Sequence, residues 1–254
     1  MTVEIWDPHF HIWDVSENTE SGHDPSVLVT PQEDLVYTLK KYEEDMTAVD
    51  FKLSGGAFVE AVSVCHVNID GPQFESACLA ETRWVSSQLD ESTLDYVLVS
   101  SAPLESPRID QILESLKRFP KVYSIRQIIS YEPSWPRNKK RGNFLENPQW
   151  LDGFSQLASH NLAFDLQINP NQFDKAVDLV TKHPEIPIII GHLGSPTLAD
   201  LHEKQEYWEG MRKFASLEHV SIKISMLSYI DPAWDENSLI EETVHQVIEL
   251  FGIE

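Results

Sequence analysis

The sequence predicts one α/β domain, a (β/α)8 or TIM barrel, on the basis of three observations. Its 254 residues are the usual length of one such barrel. Short apolar segments alternate along the whole chain with longer segments whose apolar residues recur at helical spacing. No internal repeat, low-complexity tract or Gly/Ser-rich linker divides the chain, so a single domain over residues 1–254 is expected. Strands that alternate with helices in this way pair in parallel through right-handed crossovers.

Seven segments have the length and the aliphatic or aromatic composition of buried strands. A closed barrel of this class has eight strands, and residue 254 directly follows a predicted helix, so the barrel is expected to be incomplete at its C-terminus. The predicted strands are, in chain order, Val3–Asp7, Ala57–Val64, Leu94–Ser100, Val122–Ile129, Leu162–Ile168, Ile186–Gly191 and Val220–Ser225.

The helices predicted between these strands are recognised partly by their first residues. Ser, Thr and Asn cap helix N-termini and Pro is favoured at the first helical position, as in Thr30-Pro31, Ser106-Pro107, Asn147-Pro148 and Ser195-Pro196. Residues 12–29 are polar and are expected to form a loop over the mouth of the barrel. The predicted helices cover about 31–46, 73–89, 107–119, 148–160, 171–182, 196–215 and 238–250.

Net charge, apolar run length and cysteine content indicate the partners and the cellular location to expect. Lys and Arg number 19 against 41 Asp and Glu, a formal net charge of -22, and such a surface repels nucleic acid and anionic membranes. No apolar run reaches the ~20 residues that span a bilayer, and no signal segment opens the chain. Cys65 and Cys78 form no disulfide framework and are expected to be reduced thiols. A cytoplasmic protein with a small-molecule substrate is therefore predicted.

A pair of histidines, His9 and His11, ends the first predicted strand. Residues i and i+2 of a strand lie on one face, so the two imidazoles are expected to project together. They would lie at the C-terminal end of a barrel strand, where such folds build their active sites. Two adjacent imidazoles form half of a divalent-metal site. The alternative is a pair of surface histidines in an N-terminal turn.

Polar residues interrupt the apolar pattern of several predicted strands. Period-two alternation places them on the face toward the barrel axis, and His192 follows one strand directly. Buried charges are costly unless they are paired or bound to metal, so the charged members of this set need a common explanation. A structural ion-pair network is the alternative to a functional site. The polar residues predicted to face inward are Glu60, Ser124, Arg126, Asp165, Gln167, Ser221, Lys223 and Ser225.

Six motifs, taken together and in order, resemble the amidohydrolase superfamily, in its branch of lactone hydrolases that act on sugar-acid and pyrone-dicarboxylate-like lactones. The resemblance covers essentially the whole chain and implies a metal-dependent hydrolase barrel. The motifs are His9-Phe10-His11, Val59-Glu60-Ala61, Ser124-Ile125-Arg126-Gln127 with Tyr131-Glu132-Pro133-Ser134-Trp135-Pro136, Phe164-Asp165-Leu166-Gln167, Gly191-His192-Leu193-Gly194-Ser195-Pro196 and Ile222-Lys223-Ile224-Ser225.

The resemblance also implies roles for individual residues. His9 and His11 match the two metal-site histidines of the first strand, and His192 matches the sixth-strand histidine that lies against the substrate carbonyl. Arg126 matches a position suited to holding a substrate carboxylate or hydroxyl groups. Two departures stand out. Gln167, a poor zinc ligand, occupies the position of a fifth-strand histidine in many members, and the eighth-strand aspartate of the family lies beyond residue 254.

The predicted function is hydrolysis of the lactone of a small sugar acid or related carboxylate. A divalent ion, expected to be zinc, would polarise the ester carbonyl and lower the pKa of its bound water toward ~7. The eighth-strand aspartate of the family would be the general base. Glu60 is the candidate to complete the metal sphere, and metal-free hydrolysis is the alternative. His192, Arg126 and Lys223 are the predicted catalytic residues, and Gln167, Glu60 and Ser225 are predicted to bind substrate.

Two other functions remain open from the sequence. One is non-oxidative decarboxylation, which relatives on the same barrel perform. Gln167 counts against this function, because those enzymes resemble the pattern that has a histidine on the fifth strand. The other is a truncated paralogue without catalytic activity. Unpaired edges on the first and last strands would favour pairing with another chain, so a homo-oligomer is also predicted.

Overall fold

A computed structural model of the chain describes residues 3–16, 35–65, 69–134, 141–203 and 205–253. The chain divides into two compact units, residues 1–126 and 127–254. Seven parallel strands occur within the described residues, separated by helices, which confirms the predicted α/β class. The single domain predicted from the sequence stays a prediction.

The first unit is built on four parallel strands in the order β1, β4, β5 and β6, and a short antiparallel pair, β2 and β3, lies apart from them. The last two residues of β6 belong to the second unit. The elements are β1 (Val3–Phe10), β2 (Trp13–Asp14), β3 (Val36–Tyr37), α1 (Leu39–Met46), β4 (Phe51–Val59), α2 (Val62–Cys65), α3 (Gly71–Glu91), β5 (Asp95–Ser101), α4 (Ile109–Leu116) and β6 (Val122–Ile128).

The second predicted strand is displaced along the chain, because β4 begins at Phe51 and ends at Val59. Gly55 explains the early start: its φ is +153°, and a Cβ there would lie 1.8 Å from the carbonyl oxygen of Asp95 on β5. Glycine at this position allows two backbones to approach closely within a strand. The prediction that Glu60 and Val62 lie in the strand is wrong, since Glu60 follows β4 and α2 begins at Val62.

The helix predicted from Pro31 begins later, at Leu39. Thr38 is its N-cap, and the hydroxyl oxygen of Thr38 accepts the backbone N–H of Lys41 at 3.3 Å. The Thr30-Pro31 signal lies outside the described residues, as does most of the loop predicted over 12–29. The described end of that loop contributes Trp13 to β2, and the Trp13 ring stacks on Tyr37 of β3 at 4.9 Å.

The core of the first unit is formed by one face of α3 and by aromatic residues on the strands. Buried residues of α3 recur at Cys78, Thr82, Val85 and Leu89, the spacing of one helical face. This agrees with the helix predicted over 73–89. The aromatic residues that pack together on the other elements are Phe10, Tyr42, Phe58 and Tyr96.

The second unit contains three parallel strands in the order β7, β8 and β9. The helix predicted over 196–215 is divided into α7 and α8, and α9 was not predicted. The strands are also shorter than predicted. The elements are α5 (Pro148–Gln156), β7 (Ala163–Gln167), α6 (Phe173–Lys182), β8 (Ile188–Ile190), α7 (Leu198–Glu203), α8 (Gln205–Ala215), β9 (Val220–Ile222), α9 (Leu227–Ile230) and α10 (Ser238–Phe251).

The helix predicted to start at Asn147-Pro148 forms as expected and supplies an aromatic core. The Asn147 side chain accepts the backbone N–H groups of Gln149 and Trp150, and this caps α5. Trp150, Phe154 and Phe164 are fully buried, and their ring centroids lie between 5.3 and 5.8 Å apart. None of the helices that the structure describes is both long and apolar enough to cross a membrane.

Candidate active site

The imidazoles of His9 and His11 face each other at the C-terminal end of β1. Their Nε2 atoms lie 3.2 Å apart, and their ring centroids are 4.9 Å apart. Two nitrogens on one tetrahedral zinc ion, each with a Zn–N bond of ~2.05 Å, would lie about 3.3 Å apart. The pair therefore has the spacing of two ligands on one metal ion, as the sequence predicts.

The tautomer of His11 follows from its second ring nitrogen. Nδ1 lies 2.7 Å from the carbonyl oxygen of Val59, at the end of the neighbouring strand β4. A carbonyl oxygen can only accept, so Nδ1 carries the proton and Nε2 of the neutral ring has a lone pair. A backbone carbonyl behind a histidine is the common arrangement in metal sites, because it fixes the ring and its tautomer.

The chain segment that carries His9 is held by Asp7 and Tyr42, which the sequence reasoning missed. Oδ1 of Asp7 accepts the backbone N–H of His9 at 2.9 Å, and Oδ2 accepts the Tyr42 hydroxyl at 2.8 Å. Burial, followed by the hydrogen bond to Asp7, raises the pKa of the Tyr42 phenol, so this hydroxyl remains a donor. The available signal was Asp7-Pro8-His9, since Asp often bonds the backbone two residues on.

Arg126 and Glu60 form a buried ion pair in the first unit. Their side chains are 4% and 0% exposed, and Nε of Arg126 donates to Oε1 of Glu60 at 2.8 Å. Nη2 of Arg126 donates to the Glu60 carbonyl at 2.6 Å, and Oε2 of Glu60 accepts the backbone N–H of Ser63 at 2.9 Å. A substrate carboxylate would have to compete with Glu60 for this guanidinium. The ion-pair alternative therefore describes this pair, and the anchoring role of Arg126 stays a prediction.

Glu60 does not complete a metal site with the histidines. Within the described ranges, no group of three His, Cys, Asp or Glu residues is arranged to hold an ion. The expectation that Glu60 fills the open metal position stays a prediction, and both of its carboxylate oxygens accept hydrogen bonds from the protein. The binding of a metal ion by His9 and His11 also stays a prediction.

A second acid, Glu81 of α3, lies near the Glu60 pair. Its Oε1 accepts the backbone N–H of Ala61 at 2.9 Å, whereas its Oε2 is buried without a hydrogen-bond partner among the described residues. Burial, followed by the charge of Glu60, raises the pKa of Glu81 well above its usual range. Burial also raises the pKa of Glu60, against the opposing effect of Arg126.

Both cysteines are free thiols, as predicted, and the same buried region affects them. Burial, followed by the charge of Glu81, raises the pKa of Cys65 to about 12. Burial raises the pKa of Cys78 as well. Neither side chain is a thiolate at neutral pH, and neither is an activated nucleophile.

Two of the predicted residues in the second unit form another buried ion pair. Nζ of Lys223 donates to Oδ1 of Asp165 at 2.6 Å, and the two side chains are 9% and 5% exposed. Asp165 lies on β7, and Lys223 follows the end of β9. The alternative of a structural ion pair describes this pair as well, because each charge neutralises the other. The catalytic role of Lys223 stays a prediction.

His192 lies on an unusual turn that follows β8. Four successive residues have positive φ: His192 (55°), Leu193 (56°), Gly194 (74°) and Ser195 (53°). We call residues 192–195 the left-handed turn. The conformation costs roughly 1–2 kcal/mol for each residue other than glycine. The turn places Nδ1 of His192 2.8 Å from the hydroxyl oxygen of Ser225, so two predicted site residues are in contact.

Gln167 lies at the end of β7, and its carbonyl oxygen accepts the backbone N–H of Ile129 and the hydroxyl of Ser130, each at 3.3 Å. Its predicted contact with substrate stays a prediction. Sequence reasoning missed Gln172, which is 2% exposed. Its Oε1 accepts the backbone N–H groups of Tyr131 at 2.8 Å and Asn169 at 3.1 Å, and its Nε2 donates to the Ile129 carbonyl at 3.0 Å. The signal was the capping box that begins at Asn169.

Sequence comparison relates the second half of the chain to a known protein family. Residues 131–254 match the family model described as Amidohydrolase. The uncharacterized protein y4mH of Sinorhizobium fredii is 26% identical over 254 residues, which is 99% of this chain and 82% of that protein. The L-fucono-1,5-lactonase of Burkholderia ambifaria is 22% identical over 173 residues, which is 68% of this chain and 57% of that enzyme.

Solved structures share the fold over nearly the whole chain. An amidohydrolase from Burkholderia multivorans, solved with bound HEPES, is 17% identical with a TM-score of 0.67, covering 99% of this chain and 81% of that one. The same protein has also been solved with bound zinc. A probable 2-pyrone-4,6-dicarboxylic acid hydrolase from Acinetobacter baumannii is 16% identical, with a TM-score of 0.64 and coverages of 99% and 80%.

A decarboxylase has a similar fold. The 2,6-dihydroxybenzoate decarboxylase from Rhizobium is 12% identical, with a TM-score of 0.61 and coverages of 99% and 85%. The resemblance to the amidohydrolase superfamily is therefore confirmed: residues 131–254 match its family model, and the chain shares the fold of its members. The comparisons support a hydrolase or a related enzyme and include both lactone-hydrolysing and decarboxylating proteins.

Proposed function

We propose that the protein hydrolyses the lactone of a small sugar acid or a related carboxylate, with a divalent ion, expected to be zinc, held by His9 and His11. The observation that carries this proposal is the facing pair of Nε2 atoms at 3.2 Å, with the tautomer of His11 fixed by the Val59 carbonyl. An ion bound there would act as a Lewis acid on an ester carbonyl and lower the pKa of a water molecule toward ~7.

The second unit, taken by itself, contains side chains of the kind that ester hydrolases use. His192 is oriented by the contact of its Nδ1 with Ser225, and we infer that its Nε2 serves a substrate oxygen. Lys223 supplies a cationic ammonium that Asp165 holds in place at 2.6 Å. Positioned N–H donors of this kind stabilise the negative charge that develops on a carbonyl oxygen during acyl transfer. In the proposed reaction, water adds to the carbonyl carbon, the ring C–O bond breaks, and one proton of that water is transferred to the alcohol oxygen that leaves.

Metal content and a substrate panel test the proposal together. Protein purified without chelator is expected to contain about one zinc ion per chain, the stoichiometry of one site of this type. The double variant His9→Ala/His11→Ala should lose that ion, because it lacks both ligands. His245→Ala is the matched control, since His245 is a 70% exposed histidine on α10. Zinc content well below one ion per chain, with no effect of added zinc, would contradict the metal part of the proposal.

Turnover distinguishes hydrolysis from the related chemistry of the decarboxylase fold. The panel contains L-fucono-1,5-lactone, other sugar-acid lactones, 2-pyrone-4,6-dicarboxylic acid and aryl carboxylic acids. Acid released from a lactone, measured with a pH indicator, supports the proposal. Carbon dioxide released from an aryl acid without lactone hydrolysis would instead assign the protein to decarboxylation. Purified chain that contains zinc but turns over neither class would refute the catalytic proposal while leaving the metal site intact.

A further inference from the structure

The left-handed turn needs a restraint, because its backbone is unfavourable for three of its four residues. Left-handed φ values at non-glycine residues persist only where the surrounding structure enforces them. Internal hydrogen bonds close the turn, from Gly194 N–H to the Gly191 carbonyl at 2.9 Å and from Ser195 N–H to the His192 carbonyl at 2.8 Å. Such bonds form in either handedness, so they do not by themselves select this conformation.

Tyr207 supplies a contact from outside the turn. Its hydroxyl donates to the carbonyl oxygen of Leu193 at 2.9 Å, and the residue is 2% exposed on α8. In the preceding peptide group, the N–H of Leu193 donates to the Lys223 carbonyl at 3.1 Å. Leu193 is thus bonded through its carbonyl to α8 and through its N–H to the residue after β9. These two bonds fix the residue that follows His192.

Packing closes the remaining side of the turn. A Cβ on Gly194 would lie 2.6 Å from Cζ of Phe173, so the ring of Phe173 already fills that space. Phe173 also packs against Tyr207, with ring centroids 5.9 Å apart. Tyr207 is therefore held in place by a ring that also touches the turn. Burial raises the pKa of the Tyr207 phenol, so its hydroxyl stays a hydrogen-bond donor wherever the protein is folded.

We propose that Tyr207 is a positioning residue for His192. By fixing the Leu193 carbonyl, it maintains the left-handed turn and hence the contact of His192 Nδ1 with Ser225 at 2.8 Å. That contact holds the imidazole ring in one orientation. The role in turnover rests on the proposed hydrolysis, whereas the control of the His192 ring does not depend on any substrate.

Nitrogen NMR of protein labelled at histidine tests the inference on the folded chain. The His192 ring signals are assigned by their loss in His192→Gln. In Tyr207→Phe, which removes one oxygen atom, we expect these signals to change in chemical shift and the titration midpoint of the ring to move by at least half a pH unit, because the contact of Nδ1 with Ser225 is weakened. Gly194→Ala strains the same turn against Phe173 and should move the same signals, so the test does not depend on one variant.

Tyr96→Phe is the matched control, because Tyr96 is 3% exposed and its hydroxyl donates to Glu43 at 3.0 Å, in the first unit. It should leave the His192 signals unchanged. If the His192 signals of both Tyr207→Phe and Gly194→Ala are the same as those of the wild type, the inference is overturned and Tyr207 has only a packing role.

Kinetics separate this inference from the proposed function. If lactones are hydrolysed, Tyr207→Phe should lower kcat about tenfold and shift its pH profile, with KM within twofold, since a misoriented imidazole affects the transition state more than binding. If the wild-type protein has no lactonase activity and Tyr207→Phe still shifts the His192 NMR signals, the proposed hydrolysis is refuted and the positioning of His192 is supported. An unchanged kcat and pH profile together with unchanged NMR signals would refute the positioning alone.

Discussion

The pairing of Arg126 with Glu60 predicts a large stability loss when Arg126 is replaced. Arg126→Met keeps most of the apolar stem but leaves the Glu60 carboxylate, 0% exposed, without its cation. Removing one partner of a buried pair costs about 3–5 kcal/mol, because an uncompensated charge remains buried. Both hydrogen bonds from Arg126, at 2.8 and 2.6 Å, are lost as well, so the upper part of that range is expected.

The complementary change should be milder. Glu60→Gln keeps one oxygen, which can accept from Arg126 or from the Ser63 N–H but not replace both carboxylate oxygens, and it leaves the Arg126 cation without a carboxylate. A loss of about 3 kcal/mol is expected, the lower end of the cost of breaking a buried ion pair. The double variant Glu60→Gln/Arg126→Met has no buried charge at this position, so its loss should be about 2 kcal/mol smaller than the sum of the single losses.

Urea unfolding at pH 7, followed by circular dichroism, measures all three losses. Arg83→Met is the control: Arg83 is exposed on α3, and its replacement should change the free energy of unfolding by less than about 0.5 kcal/mol. A loss below 1 kcal/mol for Arg126→Met, or strict additivity in the double variant, would refute the reasoning that Glu60 depends on this cation. A lowered kcat/KM with full stability would point instead to the anchoring of a substrate carboxylate by Arg126.

Two further predictions concern the first unit. Glu81 has a raised pKa in the folded protein, so the folded chain holds a proton that the unfolded chain releases above pH ~4.3. Between that pH and the raised pKa, the free energy of unfolding should fall by up to about 1.4 kcal/mol per pH unit. Thermal unfolding curves should show that Glu81→Gln removes this decline and that Glu91→Gln, at an exposed position of the same helix, does not. Equal pH profiles for the wild type and both variants would contradict the prediction. Gly55→Ala should cost about 3 kcal/mol or more in the free energy of unfolding, because its Cβ overlaps the Asp95 carbonyl in a strained conformation. Gly71→Ala also has positive φ but meets nothing within 4 Å, so an equal loss in urea unfolding would show that the overlap is harmless.

The sequence was informative wherever the signal was local. The apolar alternation and the cap at Asn147 predicted most helices and strands, and the spacing of His9 and His11 predicted their shared face. The helix predicted from Ser106-Pro107 begins later, at Ile109, and its N-cap is Arg108. The start of β4 could not be predicted, because a glycine pair normally ends a strand. Gly55 lies in the strand because it pairs closely with Asp95 of β5. Asp95 is 40 positions away, so local sequence patterns do not indicate this contact.

The contacts within the site were beyond local patterns for the same reason. Inward-facing charge predicted Arg126 and Lys223, but the same pattern serves a substrate anchor and an ion pair equally well. Only the three-dimensional positions of Glu60 and Asp165 show that each cation has a carboxylate partner. The left-handed turn likewise depends on Tyr207, a residue on another element.

Gln172 joins the chain segments that follow β6 and β7 by hydrogen bonds to both. One amide group accepts from Tyr131, after β6, and from Asn169, after β7, while it donates to Ile129. Neither segment can leave its place without breaking bonds that also hold the other, so their backbone amides should exchange with solvent at a common rate. A common exchange rate would show that the hydrogen bonds of one buried side chain, rather than two independent loops, hold this end of the two strands.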